Sequence, residues 1–479
     1  MLADLKFISQ VHGIYYIGHR MDGYNPPPLN KPRLRMKTFL KIFAILLLVL
    51  IVVGYFQYPK LNIISGYASK NMASTVFLTD RTPESVTLND NNVPLIKLAE
   101  VEQDASGAEA TASVFGLMER RTICHEGLGC TLVNENYNPN TVLPHPNRNR
   151  TDTGLAFPYG DANAKDTLFP EIDYQRLDKA VADAFAFPET QKTRTVLVVY
   201  KNRIIAENYI KGFDKTTPIL GWSMTKSILA TLYGILEYQG KIDLNKPAPV
   251  AQWQDDKRSA ITLNHLLRMQ SGLAWEEDYS SISDVTEMLF LDADMTEAQA
   301  RKEAVAPPTE IWNYSSGTSN LLSGILRDRF GSHQEYLDFP YSALIDKIGM
   351  YSMLMETDMD GNFVGSSYAW ANTRDWAKFG LLYLNGGNWN GEQLFGQDWI
   401  DYVKKPTAGS DGDYGGHFWL NSGGKFPDVP LDMYSANGYQ GQRVFIVPSK
   451  DLVVVRTGLA EEPEFDINQF LGSICKAVR

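Results

Sequence analysis

Gly221-Trp222-Ser223-Met224-Thr225-Lys226-Ser227, followed by the run Ile228-Leu229-Ala230-Thr231-Leu232-Tyr233-Gly234-Ile235-Leu236, is the stretch around which the rest of the chain is organised. Apolar residues at 228, 229, 232, 235 and 236 have the spacing of a core-facing helix. A helix beginning near Ser223 projects Lys226, three residues on, from the same face and within reach of the serine hydroxyl. That hydroxyl is a weak nucleophile at neutral pH, and a lysine whose pKa is lowered by burial can take its proton. Backbone N–H groups at the helix start suit a developing oxyanion. Serine with lysine three residues later is a common pattern and occurs three times here. Ser422 and Lys425 bracket Gly423-Gly424, a loop composition, and Ser473 and Lys476 sit in a polar-apolar C-terminal helix. Neither has the apolar setting of Ser223.

Two further stretches carry candidate chemistry. Pro307-Pro308 breaks the chain ahead of Tyr314-Ser315-Ser316-Gly317, and an apolar helix follows at 321–326. A tyrosine on such a loop can present its phenol into a cleft, where a phenolate stabilised by Lys226 would be base for Ser223 and later acid for the leaving group. The plain alternative is a half-buried tyrosine with a satisfied hydroxyl, and Tyr279-Ser280-Ser281 repeats the tripeptide. Near the C-terminus, Asn437-Gly438-Tyr439-Gln440-Gly441-Gln442 precedes a strand. Its glycines permit close backbone approach, so an N–H there is a candidate second oxyanion donor beside that of Ser223.

The elements around these stretches read as a sheet built from both ends of one domain. Segments 195–200 and 203–209 form one antiparallel hairpin, and 443–448 with 452–458 a second. Amphipathic helices are expected near 174–185 and 465–475. Residues 261–273 read as a helix capped by Thr262 and ended by Gly272. His265 within it reads as structural, since no Gly-x-Ser-x-Gly elbow or Ser-His-Asp arrangement accompanies it. Residues 276–308 read as largely helical and acidic. The expected fold class is α+β, an α/β sandwich: an antiparallel sheet flanked by helices, with an all-helical half inserted.

The chain's 479 residues and 44% hydrophobic content allow a deep core. Its net charge of −11, with no basic block outside the N-terminal region, argues against a nucleic-acid partner. Residues 1–37 read as a disordered cytoplasmic tail containing Asn25-Pro26-Pro27-Pro28. Cationic residues up to Lys41 then lead into an apolar run whose far boundary is Tyr55, Phe56 and Tyr58. Residues 38–57 are accordingly expected to be a single-pass anchor, in the inner membrane by the notation of a bacterial envelope, with the catalytic domain on the outer, periplasmic side. A cleaved signal peptide is the competing reading, but no small-residue cleavage site follows directly. Residues 58–170 are expected to be an N-terminal extension and 171–479 the catalytic domain. Cys124 and Cys130 flank a short glycine-containing loop that a disulfide could close, which suits an exported chain. With no Cys-x-x-Cys and no His-Glu-x-x-His, neither a metal nor a cofactor is expected.

Ser223-Met224-Thr225-Lys226, Tyr314-Ser315-Ser316 and Asn437-Gly438-Tyr439 together resemble the three active-site elements of penicillin-recognising serine hydrolases, in the class C β-lactamase and D-alanyl-D-alanine carboxypeptidase branch. Residues 263–273, Gly349-Met350, Glu356, Asp358, Gly361, Gly365-Ser366-Ser367 and the stretch Arg374-Asp375-Trp376-Ala377-Lys378-Phe379-Gly380-Leu381-Leu382 look like the 6-aminohexanoate-dimer hydrolase subgroup. The likeness covers roughly residues 170–478, and residues 124–133 resemble an extension seen in some exported members. It implies Ser223 as acylated nucleophile, Lys226 and Tyr314 as proton-transfer partners, and the N–H groups of Ser223 and Tyr439 as oxyanion hole. Ser316, Asn437, Gly438 and Gln440 are the expected substrate contacts. Two departures bear on substrate: Ser316 stands where β-lactamases carry asparagine, and Ala436-Asn437-Gly438 where they carry Lys-Thr-Gly. The cation that grips a lactam carboxylate is missing from its motif position, which favours an amidase or esterase acting on a small, uncharged acyl group. The alternatives are a D-alanyl-D-alanine carboxypeptidase, a weak β-lactamase, or a silent binding domain on the same fold. The sequence leaves the oligomeric state open.

Overall fold

The computed structural model describes residues 36–141, 143–151, 153–160, 162 and 168–479. The expected tail at 1–37 lies outside the described residues except for its last two, which begin a helix. The chain divides into a unit ending at Gln57 and a compact unit Tyr58–Arg479. Among the described residues, one helix is long and apolar enough to cross a membrane, with a mean hydropathy of 2.8 over its most apolar window. It does not stop where the apolar run stops. The helix spans Met36–Thr79 and continues through Pro59. Its later turns remain helical because they are covered on nearly every side, with Ile63 to Lys70 and Met72 to Thr75 all buried. The apolar segment 73–78, within the expected extension, is the end of this helix.

The region 99–133 forms a four-stranded antiparallel sheet. Its last two strands, Leu117–His125 and Gly129–Val133, oppose Cys124 to Cys130, and these two are joined by a disulfide.

The main sheet has six antiparallel strands in the order Trp419–Leu420, Tyr434–Gly438, Gln442–Val447, Leu452–Gly458, Thr193–Tyr200, Arg203–Tyr209. The C-terminal strand Leu452–Gly458 pairs with the first central strand Thr193–Tyr200, so the sheet closes from both ends of the domain as the hairpins suggest. Its central strands read as continuous apolar runs because both faces are covered. Leu197, Val199, Val444, Ile446, Val453 and Val455 pack with the helices Met224–Tyr238 and Thr373–Leu384. Their alternates Val196, Val198, Phe445, Val447, Leu452 and Val454 pack with Tyr174–Asp183 and Ile467–Ala477.

The inserted half is less helical than its composition suggests. The expected helix 261–273 is only Leu263–Leu267. Thr262 caps it as expected, with His265 completing a capping box, but the backbone turns left-handed at Met269 (φ 57°) and the helix cannot pass. Within 276–308 only Asp284–Phe290 and Glu297–Ala300 are helical. The acidic side chains there cap turns and bond to loop N–H groups instead of lining a helix face, as Asp278 does to Ser280 and Asp294 to Thr296.

Candidate active site

The helix Met224–Tyr238 starts directly after Ser223, and its residues from Met224 to Leu236 are all buried. Lys226 Nζ lies 2.9 Å from Ser223 Oγ, 3.0 Å from Ser316 Oγ and 2.9 Å from the Ser366 carbonyl. The roles within this cluster follow from where the protons are. Ser316 donates its hydroxyl proton to Glu277 Oε1 at 2.5 Å, so toward Lys226 it can only accept. The Ser366 carbonyl can only accept as well. Ser223 is therefore the one partner able to give Lys226 a proton. A neutral lysine with two N–H bonds spent on Ser316 and Ser366 has its lone pair left for Ser223. Burial brings the Lys226 pKa down to about 8, against the opposing pull of the Glu277 carboxylate.

Tyr314 approaches from the other side, the Lys226 ammonium lying 5.0 Å from its ring centre. The ring is held by Tyr414 at 5.8 Å and Trp419 at 5.4 Å between centroids. Burial and then Glu277 push its pKa up, while a hydrogen bond with Ser223 and the Arg443 charge act in the opposite direction. The phenol is thus protonated at neutral pH, which differs from a lysine-stabilised phenolate. The reason is burial first, with the Glu277 carboxylate adding to it, both of which disfavour a phenolate.

Glu277 organises this side of the site. Besides Ser316 Oγ it accepts from the Ser316 N–H at 2.8 Å, from Trp275 Nε1 at 2.5 Å and from the Tyr279 hydroxyl at 3.0 Å. Gly438 brings in the remaining wall. A Cβ at this position would meet the Gly221 carbonyl oxygen at 2.0 Å, so the end of strand Tyr434–Gly438 touches the backbone just before Ser223. That contact sets Tyr439 beside Ser223 in one cleft.

The cleft has a volume of about 400 Å³, and Ser223, Tyr314, Asn437, Gly438 and Tyr439 all line it. Lys226 and Ser316 stand behind Ser223. Gln440 is not in this cleft: with φ 60° it turns away into a neighbouring cavity of about 20 Å³ lined by Arg81, Asp90 and Arg194. Charged residues of both signs face the cleft, Arg443 and Lys425 against Asp413, Glu461 and Glu462. Arg443 lies directly across from Asn437 on the adjacent strand, so a cation absent from the motif position enters from next door. The sequence assigns no role to the Glu277 carboxylate, the Ser366 carbonyl or Arg443. Glu277 sits in the run Trp275-Glu276-Glu277-Asp278-Tyr279, where nothing separates it from its acidic neighbours, and the Ser366 carbonyl has no side-chain signature. Arg443 had a signal: in an antiparallel pair it faces Asn437 once the turn between them is counted.

Comparison with known proteins agrees with this geometry. Residues 185–465, more than half of the chain, match the family model described as Beta-lactamase. The chain belongs to the beta-lactamase family, and is a serine hydrolase. Within that family it is similar to the 6-aminohexanoate-dimer hydrolase of Paenarthrobacter ureafaciens, 23% identical over 354 residues that cover 67% of this chain and 84% of the relative. Among solved structures, one from Bacillus anthracis, provisionally assigned as a 6-aminohexanoate-dimer hydrolase, superposes with a TM-score of 0.52 at 20% identity, covering 72% of this chain and 89% of that one. A family VIII carboxylesterase superposes with a TM-score of 0.52 at 15% identity, covering 66% of this chain and 98% of that one. The antiparallel sheet expected from the two hairpins is present, and the beta-lactamase-like fold that the resemblance implies is the fold observed.

Proposed function

We propose that this protein is a membrane-anchored amidase or esterase that works through an acyl-enzyme on Ser223. Lys226 is the base: its lone pair takes the Ser223 proton as the hydroxyl oxygen attacks the substrate carbonyl. The Ser223 and Tyr439 N–H groups hold the oxyanion. Tyr314, protonated at rest, gives its proton to the departing amine or alcohol and is restored through Lys226. Water then repeats the sequence and releases the acid. The observation that carries this reading is the 2.9 Å contact between Lys226 Nζ and Ser223 Oγ in a cluster where every other partner of Lys226 is an acceptor.

The substrate class follows from the cleft. Charged residues of both signs beside an apolar wall of Trp419, Leu420, Phe426 and Met433 support a linear amide that carries both charges. The similar hydrolase's 6-aminohexanoate dimer is such a molecule, an ammonium at one end and a carboxylate at the other. Arg443 is the residue for the carboxylate, and the acidic residues of the same lining, Asp413, Glu461 and Glu462, are the groups for the ammonium. This replaces the uncharged acyl group favoured by the motif alone. Residues 38–57 are the anchor, with the cationic flank in the cytoplasm and the catalytic unit outside. A panel of linear amides and esters with and without terminal charges tests the reading. Turnover should favour the doubly charged linear amides, and turnover confined to penicillins would overturn it.

A further inference from the structure

The residue before the nucleophile has an unusual backbone. Trp222 has φ 48°, in the left-handed region that costs a bulky residue strain and persists only where the surroundings impose it. Its backbone is tied on one side: the Trp222 carbonyl accepts from the Thr225 N–H at 2.9 Å and from Thr225 Oγ1 at 2.6 Å. Its indole is held by three tyrosines. Tyr368 and Tyr439 meet it edge-on at 6.1 and 5.6 Å, and Tyr67 lies nearly parallel to it at 6.1 Å with 20° between planes. Tyr368 and Tyr439 lie within the residues that match the family, and Tyr67 does not.

Tyr67 is on the later turns of the helix Met36–Thr79, and that face is fixed in place. Gly66 lets the helix approach Leu132 and Phe290, where a Cβ would sit 3.2 Å from each. One turn on, Lys70 is paired with Glu356 at 2.6 Å, and Ser74 donates to the same carboxylate at 2.8 Å. Glu356 also accepts from the Cys130 N–H at 2.8 Å and from Trp370 Nε1 at 2.9 Å. The helix is therefore clamped to the catalytic unit by a buried, fully bonded carboxylate, and the clamp presents the Tyr67 ring to Trp222.

We propose that Tyr67 is a positioning residue for the hydrolysis, acting through Trp222, which lies between the juxtamembrane helix turns and both N–H groups assigned to the oxyanion hole. Trp222 is bonded to Ser223 and its ring touches Tyr439, so one aromatic wedge sets the position of both donors. This rests on Ser223 being the nucleophile. It makes the turns 58–79 part of the active-site support and not a spacer to a membrane.

The test is steady-state kinetics on a chromogenic ester with Tyr67→Ala, Tyr67→Leu and Tyr67→Phe, all in the full chain and well below the unfolding temperature. Met72→Ala is the control, because Met72 is buried in a separate apolar cluster, with Ala73, Val86 and the Cys124–Cys130 bridge, whereas Tyr67 and Trp222 pack together in another. Tyr67→Ala and Tyr67→Leu should lower kcat at least tenfold with KM within twofold, and slow phosphonylation by a fluorophosphonate by the same factor. Tyr67→Phe, which keeps the stacked ring, should restore kcat to within threefold, and Met72→Ala should leave kcat unchanged. Full kcat in a folded Tyr67→Leu protein, or an equal loss in Met72→Ala, would overturn the proposal. Ser223→Ala run beside them separates this failure from that of the parent reading: retained turnover there would remove Ser223, whatever Tyr67 does.

Discussion

Replacing Glu277 by glutamine should move the acid limb of the pH profile to lower pH. Two links of 2.5 Å and 3.0 Å through Ser316 Oγ join the Glu277 carboxylate to Lys226 Nζ, so the charges lie within about 5.5 Å and attract by ~3 kcal/mol at an effective dielectric constant of about 20. Full removal of that attraction corresponds to roughly two pKa units. The sign follows from the charges. The carboxylate favours the ammonium, and without it the Lys226 pKa drops further below about 8. A base works only when neutral, so the limb in kcat/KM for an activated ester, followed across neutral and mildly alkaline pH at fixed ionic strength, should fall by about one to two units. Glutamine keeps an oxygen to accept the Ser316 proton. Its amide nitrogen then stands at the position of Oε2, which accepts from both the Trp275 Nε1–H and the Ser316 N–H, and leaves both without an acceptor, a stability loss that denaturation reads separately and that does not shift a pKa limb. A limb that stays in place, or moves up, would refute Lys226 as the titrating base.

Lys226→Met should abolish turnover and also change the pH dependence of stability. The lysine titrates at about 8 when folded and 10.5 when unfolded, so between these values the unfolded chain binds the extra proton and stability rises with pH. That rise, up to roughly 3 kcal/mol, should be missing from denaturant curves of the variant. Tyr314→Phe should cost ~100-fold or more in kcat on an amide, whose amine leaves only when protonated, and much less on a nitrophenyl ester, whose leaving group needs no proton. Equal losses on both substrates would remove Tyr314 as the acid.

Much of this site was legible because its first layer is written in local patterns. Ser223 and Lys226 share a helix face, and the apolar spacing after them says the face is buried. The sheet was legible through β-branched runs such as Val196 to Val199 and Val453 to Val455, whose two-sided burial leaves no polar alternation. What escaped lies in contacts between distant segments. Glu277 gains its meaning only when the loop before Asp284–Phe290 meets the start of the helix Ser316–Arg327. The Ser366 carbonyl is a backbone atom that any residue could supply. The helix 261–273 failed because Met269 takes a left-handed turn that no propensity announces. The reach of the first helix to Thr79 was hidden by polar residues, Lys70 and Ser74, which read as surface until Glu356 is seen opposite them.

The most direct test of the central claim is intact-mass spectrometry of the detergent-solubilised protein after incubation with a fluorophosphonate, and separately with a penicillin, comparing wild type with Ser223→Ala. A nucleophilic Ser223 should give one phosphonyl adduct in the wild type and none in the folded variant, with no lasting penicilloyl adduct in either. An adduct that persists in Ser223→Ala, or a folded wild-type protein that takes no phosphonyl group at all, would contradict acyl-enzyme chemistry at this serine.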